Sequence, residues 1–286
     1  SYRDETAKAS TMDSVSADNI GVYAQHSIGY GAFDAVASVR HDEHQTSGGE
    51  VTYRVAPSIA IEKSGTRLRG SVGTGFKAPS LYQLHAPASA WGSVGNADLR
   101  PETSLGWDAG VEQVIVPEIL SFGVTYFASD VEDLIEFVNG YQNVSEVEIR
   151  GVEVLASLTP TDRMTVDVSY TYTDSENQET DEQLIRIPND RASLAISYAI
   201  TPRARVSATA LYVSARNDSY FDASMFTSLA VKTAAYTVVN LAGSVDISDT
   251  VTLFGRIDNV FDETYEEVYG YGTAGVSGYG GVKVAL

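Results

Sequence analysis

Residues 164–173 read Met-Thr-Val-Asp-Val-Ser-Tyr-Thr-Tyr-Thr, with an apolar or tyrosine side chain at every second position. A period of two is that of a β-strand, because successive side chains of a strand point to opposite faces. The alternation lasts about ten residues, the length that a tilted strand needs to cross the apolar core of a bilayer. Strands of soluble sheets are usually shorter, at about 5–6 residues. This segment therefore predicts a membrane-crossing strand.

The same alternation recurs along most of the chain, for example at 33–39, 51–61, 120–126 and 194–200. A soluble sandwich would also alternate, but the length of these segments favours a membrane barrel. The sequence contains no convincing helix longer than a turn or two. We therefore predict an all-β protein, a transmembrane antiparallel β-barrel. Its thirteen predicted strands are 14–27, 32–42, 50–62, 66–76, 104–115, 118–138, 141–158, 163–174, 184–199, 203–215, 234–246, 250–260 and 276–286.

The connections between these strands fall into two groups. Those after the odd-numbered strands are tight, as at Lys63-Ser64-Gly65 and Thr201-Pro202. Those after the even-numbered strands are mostly longer, as at 77–103, 216–233 and 261–275. Short periplasmic turns and long external loops are the plan of an outer-membrane barrel. The loop lengths therefore predict which end of each strand faces outward.

The number of predicted strands has a consequence for domain organisation. Bacterial single-chain barrels have even strand counts, whereas thirteen is odd. The first predicted strand has the same direction as the last, so it runs from the outside inward. Residues 1–13 are therefore expected to be an external loop or N-terminal extension. Residues 14–286 are expected to be the C-terminal portion of a larger barrel, separated from its earlier part at an exposed loop.

The composition excludes several classes of function. The 286 residues contain no cysteine, which rules out disulfides, thiol nucleophiles and thiolate metal sites. Lys and Arg total 19 against 38 Asp and Glu, a net charge of −19 that does not fit a nucleic-acid partner. The acidic run at 174–182 lacks the spacing of a calcium loop and predicts a solvated loop. His41 and His44 flank two acidic residues without a nucleophile beside them, so we predict neither a catalytic nor a metal site.

Five motifs in order carry a resemblance to a known family. Residues 73–81 (Gly-Thr-Gly-Phe-Lys-Ala-Pro-Ser-Leu) predict a strand end that runs into an external loop folding back on itself. Together with 96–102, 149–153, 184–188 and 258–265, this stretch resembles the signature of TonB-dependent outer-membrane receptors. The run that follows, Val-Tyr-Gly-Tyr-Gly-Thr-Ala-Gly at 268–275, is similar to the end of the cobalamin (vitamin B12) receptors of that family.

The resemblance implies a fold, a location and a function. It implies the C-terminal strands of a 22-stranded barrel in the outer membrane of a Gram-negative bacterium, surrounded by lipid and lipopolysaccharide. Such a receptor binds a scarce ligand outside, and the TonB energy-coupling complex opens a path by pulling on an N-terminal plug. The plug and the earlier strands are expected as a separate chain or a missing segment. No enzyme activity and no covalent cofactor are implied.

The ligand implied by the resemblance is cobalamin. The family binds calcium through residues that lie upstream of this chain. The resemblance therefore assigns no calcium ligand within the chain itself. Three alternatives stay open: a siderophore or haem receptor of the same class, a passive porin, and an outer-membrane hydrolase.

The resemblance also assigns two ligand-binding residues. Arg186 is placed where an external loop re-enters the barrel, within reach of a corrin amide or the nucleotide phosphate. The alternative is a rim arginine paired with Asp181 or Glu182. Tyr220 is the second ligand-binding residue, and its alternative is an ordinary loop tyrosine.

Overall fold

The alternating segments form one antiparallel sheet in a computed structural model that describes residues 1–9, 12–88, 93–137, 140–225 and 227–285. The elements, in chain order, are β1 Tyr2–Ala9, β2 Met12–Tyr30, β3 Phe33–His44, β4 Gly48–Ile61, β5 Thr66–Lys77, α1 Leu81–His85, β6 Glu102–Val116, β7 Leu120–Phe137, β8 Tyr141–Thr161, β9 Met164–Asn177, β10 Glu182–Gln183, β11 Asp190–Thr201, β12 Ala204–Val213, β13 Arg216–Asp222, β14 Thr227–Thr233, β15 Tyr236–Asp246, β16 Val251–Asp258, β17 Glu266–Val268, β18 Tyr271–Gly272 and β19 Ser277–Val284.

The sheet is a meander in which each long strand pairs with the next one along the chain. Over the residues that the structure describes it has 15 strands, and the short β10 pairs with β9 off the main path. Two small hairpins, β13–β14 and β17–β18, stand apart from it, so β12 pairs with β15 and β16 with β19. The prediction of an all-β antiparallel barrel is confirmed. Within the described ranges, no helix is long and apolar enough to cross a membrane.

The first residues of the chain differ from expectation. Tyr2–Ala9 is a strand rather than an irregular loop, paired with β2 from Tyr2 opposite Ile20 to Ala9 opposite Met12. It pairs mostly with the part of β2 that extends beyond β3, and the external position of residues 1–13 stays a prediction. Residues 10 and 11 lie outside the described part. Charged residues at positions 3, 4, 5 and 8 leave β1 without an apolar alternation, so only its backbone pairing with β2 identifies it as a strand. The main path therefore has fourteen strands, not thirteen, and the argument from an odd count no longer holds.

The two faces of the sheet differ in chemistry, as the register shows. One row of paired residues is wholly apolar, and the neighbouring row on the opposite face is mostly polar. The apolar row is Leu158, Val166, Ile196, Ala208, Leu241 and Ile257. The polar row is Ser157, Asp167, Ala195, Thr209 and Asn240. An unbroken apolar row is what a membrane barrel turns toward lipid, and a polar row is what lines its lumen, so we assign the two faces accordingly.

The turns at one end of the sheet are short, as predicted. They are 31–32, 62–65, 117–119, 162–163, 202–203 and 247–250. Gly65 has φ 66°, a left-handed conformation that closes the tight turn between β4 and β5. At the other end lie the long connections, which carry α1 and both small hairpins. This end, which the loop lengths predict to be the outer one, therefore carries most of the structure outside the long strands.

Candidate ligand-binding site at the outer mouth

The long connection between β5 and β6 is closed at its base by an ion pair. Lys77 and Glu102 are register partners, and the Lys77 Nζ lies 3.0 Å from each carboxylate oxygen of Glu102. Glu102 is buried and also accepts a hydrogen bond from the Ile135 N–H at 3.2 Å. The lysine and glutamate of the family signature therefore anchor a folded loop to the barrel rim.

Above this pair the loop has its own small core. Helix α1 begins with a capping box, in which the Ser80 hydroxyl accepts from the Gln83 N–H and the Gln83 side chain accepts from the Ser80 N–H. Leu84 and Leu99 pack with Ile135, and Tyr141 of β8 lies against them. The prediction of an external loop that folds back is confirmed.

The opposite side of the mouth is formed by the connections after β12 and β16. Tyr265 stacks on Tyr236, with ring centroids 4.2 Å apart, and packs against the buried cluster of Val213, Tyr236 and Val238. Arg216 lies over the Tyr236 ring and donates from Nη2 to the carbonyl oxygens of Glu266 and Glu267, at 3.3 and 2.6 Å. The connection after β16 is thereby held against the lumen side of β12 and β15.

Arg186 lies in the segment between β10 and β11 with φ 64°, a conformation uncommon for a residue with a Cβ. Its backbone N–H donates to the Asn217 carbonyl at 2.7 Å, and its Nε donates to Asp218 Oδ1 at 2.8 Å. The alternative of an ion-paired arginine therefore named the wrong partner, since Arg186 pairs with Asp218 and not with Asp181 or Glu182. The Arg186 side chain is 46% exposed, so this ion pair does not bury it.

Tyr220 lies two residues after Asp218 on the same strand, β13. Its side chain is exposed, and its ring meets the ring of Tyr269 edge-on, with centroids 5.7 Å apart. The structure thus links Arg186 and Tyr220 through Asp218. Sequence reasoning did not identify Asp218 or Tyr269 as site residues, although Tyr269 lies in the Val-Tyr-Gly-Tyr run.

Asp218 is the electrostatic centre of this group. Burial alone would raise the pKa of its carboxyl, but the N–H groups of Tyr269 and Ser219 and the Arg186 guanidinium outweigh burial and hold the pKa below its ordinary value. Its side chain has no exposed surface. Asp218 is therefore an ionised, buried acceptor at neutral pH.

This lowered pKa predicts acid sensitivity of the outer loops. The pKa of the Asp218 carboxyl is lower in the folded protein than its ordinary value of 3.8. The stabilisation that the ionised carboxylate contributes is therefore fully present above that ordinary value, and it is lost as the pH falls through the folded pKa. We expect pepsin to nick 216–233 and 261–276 increasingly below about pH 4. Cleavage is measured relative to denatured protein, because pepsin activity itself changes with pH.

Asp222, in the same hairpin, provides the control for that experiment. The Ser224 hydroxyl and backbone N–H lower the pKa of Asp222 as well. An Asp222→Asn variant should keep the acid transition, whereas Asp218→Asn should be susceptible to pepsin already above about pH 4. Loops that resist cleavage throughout the acid range in the unmodified protein would contradict the prediction.

Within the described ranges, no group of three or more His, Asp or Glu side chains is placed to hold a metal ion. His44 is buried, with its Nδ1 2.9 Å from the Thr46 hydroxyl, and His41 Nε2 lies 3.7 Å from a Glu43 oxygen. These two histidines are thus engaged in separate local contacts at the end of β3.

The sheet has long antiparallel strands with an apolar outer face and a polar lumen, and its loops are folded into the mouth. These features define an outer-membrane β-barrel of the receptor type. The sequence matches the family described as "TonB dependent receptor-like, beta-barrel" over residues 1–260. The chain belongs to this family, whose members are transport receptors of the outer membrane of Gram-negative bacteria, not enzymes.

One curated relative is 30% identical over 275 residues, the vitamin B12 transporter BtuB of Photobacterium profundum. The match covers 92% of this chain and 43% of that protein, so the chain spans less than half the length of this relative.

Solved structures share the fold at lower identity. The ferric enterobactin receptor PfeA (mutant G324V) of Pseudomonas aeruginosa superposes with a TM-score of 0.80 at 20% identity, covering 96% of this chain and 45% of that one. The siderophore receptor PirA of Acinetobacter baumannii gives 0.81 at 18%, covering 98% and 47%. The copper transporter OprC gives 0.78 at 19%, covering 95% and 50%. At these identities the likeness shows the fold alone.

Proposed function

We propose that this chain forms part of a receptor barrel that binds cobalamin at its outer face and admits it to the periplasm. The observation that carries the proposal is the group of Arg186, Tyr220 and Tyr269 at the outer mouth, held together through Asp218. The similarity to a vitamin B12 transporter over 92% of the chain supports the same ligand.

The chemistry of the group fits a corrinoid. Cobalamin is a large, flat molecule with many amide side chains and one phosphodiester, so its site needs hydrogen-bond donors and aromatic faces more than a strong net charge. The half-exposed Arg186 side chain supplies N–H donors. The Tyr220 and Tyr269 rings supply apolar surface, with hydroxyls at their tips.

Charge argues against an anionic siderophore as the ligand. Ferric catecholate complexes are anionic, whereas the outer connections of this chain carry acidic runs at 174–182 and 262–267. The charge of Arg186 is already balanced by Asp218, and that of Lys77 by Glu102. An anionic complex would meet a repulsive field at this mouth.

The rest of the transport cycle is proposed for the whole protein. A plug outside these residues would fill the lumen, and the TonB complex would act on it across the periplasm. Lipid and lipopolysaccharide would surround the apolar face of the sheet. Calcium, where required, would be held by residues outside this chain.

The test is binding of cyanocobalamin to the full-length protein in outer membranes of cells that lack their own cobalamin receptor. We expect saturable binding, and Arg186→Ala and Tyr220→Ala should each weaken it about tenfold, as expected for one charge-assisted hydrogen bond or one aromatic contact. Arg203→Ala and Tyr30→Ala, at the short-turn end, are matched controls that should bind normally.

Two results would contradict the proposal. The first is saturable uptake of a ferric siderophore or of haem without any cobalamin binding. The second is ion conductance through an open pore without a tightly bound ligand, which would indicate a passive porin. Normal cobalamin binding by both Arg186→Ala and Tyr220→Ala would instead leave cobalamin as the ligand and overturn the assigned site.

A further inference from the structure

The buried Asp218 carboxylate joins three segments of the outer mouth that are distant in sequence. Its Oδ1 accepts from Arg186 Nε at 2.8 Å, across 32 residues, and from the N–H of its neighbour Ser219. Its Oδ2 accepts from the Tyr269 N–H at 2.7 Å, across 51 residues. The segment before β11, the β13–β14 hairpin and the β17–β18 connection therefore meet at one side chain.

Each contact fixes a group at the proposed ligand surface. The bond to Nε, together with the Arg186 N–H to Asn217 carbonyl bond, holds Arg186 in its left-handed backbone conformation. The Arg186 side chain nonetheless stays about half exposed. The bond to the Tyr269 N–H fixes the backbone from which the Tyr269 ring meets Tyr220.

Only an ionised carboxylate satisfies this arrangement. Three donors converge on two oxygens, and the site is fully buried, so each donor left unpaired would incur a desolvation penalty. An asparagine keeps the shape but replaces one acceptor oxygen by an NH₂ group, which would face a donor. It also leaves the arginine without its counter-ion.

We propose that Asp218 is a positioning residue, which holds Arg186 and the Tyr220–Tyr269 pair as one preformed ligand surface without itself contacting the ligand. The identity of the ligand in this inference rests on the proposed function, whereas the positioning role rests on the geometry of the loops. A surface ordered in advance binds more tightly because less side-chain and loop freedom is lost on binding.

The first test is a double-mutant cycle of cyanocobalamin binding to the full-length protein, with Asp218→Asn, Arg186→Ala and the double variant. We expect Asp218→Asn to weaken binding at least about tenfold, and the double variant to lose much less than the product of the two single losses. Asp222→Asn, a carboxylate change in the same hairpin, is the matched control and should bind normally. Normal binding by Asp218→Asn, or losses that multiply, would overturn the proposal.

The second test needs no ligand and so separates this inference from the choice of cobalamin. Hydrogen exchange of the unliganded protein should be at least about tenfold faster at the Arg186 and Tyr269 amides in Asp218→Asn, with amides in β9 and β11 unchanged. Unchanged exchange at Arg186 and Tyr269 would overturn the proposal, whichever ligand the protein binds. If Asp218→Asn fails to fold, Arg186→Gln should give the same local acceleration at residue 186.

Discussion

Arginine in place of Ile196 is expected to destabilise the barrel by about 2–4 kcal/mol, the cost of a cationic side chain facing lipid near the bilayer midplane. Ile196 lies in the middle of β11, between its partners Val166 and Ala208, in a row of apolar side chains on the lipid face. No carboxylate belongs to that row, so the new charge would have no partner across its strand pairs.

The adjacent Ala195 gives the matched control. Its side chain points to the lumen, opposite Asp167 on β9 and Thr209 on β12. Ala195→Arg should therefore cost much less than Ile196→Arg, since the guanidinium has water and a carboxylate beside it. The measurement is the urea dependence of folding of the full-length protein in lipid vesicles, read from the mobility shift of the folded barrel on gels. Equal losses for the two variants would show that the faces are assigned wrongly.

Alanine in place of Gly151 is expected to cost about 1–3 kcal/mol, the usual range for overpacking. A Cβ at this position would collide with the carbonyl oxygen of Tyr172 and lie 2.5 Å from Cζ of Phe127. The carbonyl belongs to the backbone of β9, so it cannot move aside as a side-chain tip would. The glycine of the motif at 149–153 is thus required by close packing on the lumen side of β8.

Gly123 in β7 is the matched control. The nearest atoms to an added Cβ there, the Glu112 Cγ and the Val111 carbonyl oxygen, are both 3.6 Å away, which is ordinary contact. Gly123→Ala should therefore fold with nearly unchanged stability under the same urea titration. If removal of the ring in the Phe127→Ala, Gly151→Ala variant restored full stability, the carbonyl would not be the main obstacle.

The parts of the fold that sequence predicted are those that local chemistry encodes. The alternation at 164–173 defines β9 and its two faces, because the side-chain period of a strand is a property of the backbone alone. The short turns were predicted for a similar reason, since residues such as Gly65 favour a tight turn without any distant contact. The loop at 77–103 was predicted to fold back, but not its Lys77–Glu102 anchor.

The first strand shows where this reasoning ends. The charges of Tyr2–Ala9 give no apolar face, and its identity as a strand depends on backbone hydrogen bonds to β2. Such bonds do not depend on side-chain polarity, so composition carries no signal for them.

The sequence by itself determined the class of the protein, the direction of its strands and the two residues proposed to meet the ligand. Only the tertiary structure decided how those residues are held. Asp218 lies 32 residues from Arg186 and 51 from Tyr269 along the chain. Periodicity and turn chemistry act over a few residues, whereas a buried carboxylate selects its donors only after the sheet has brought distant loops together at the same end.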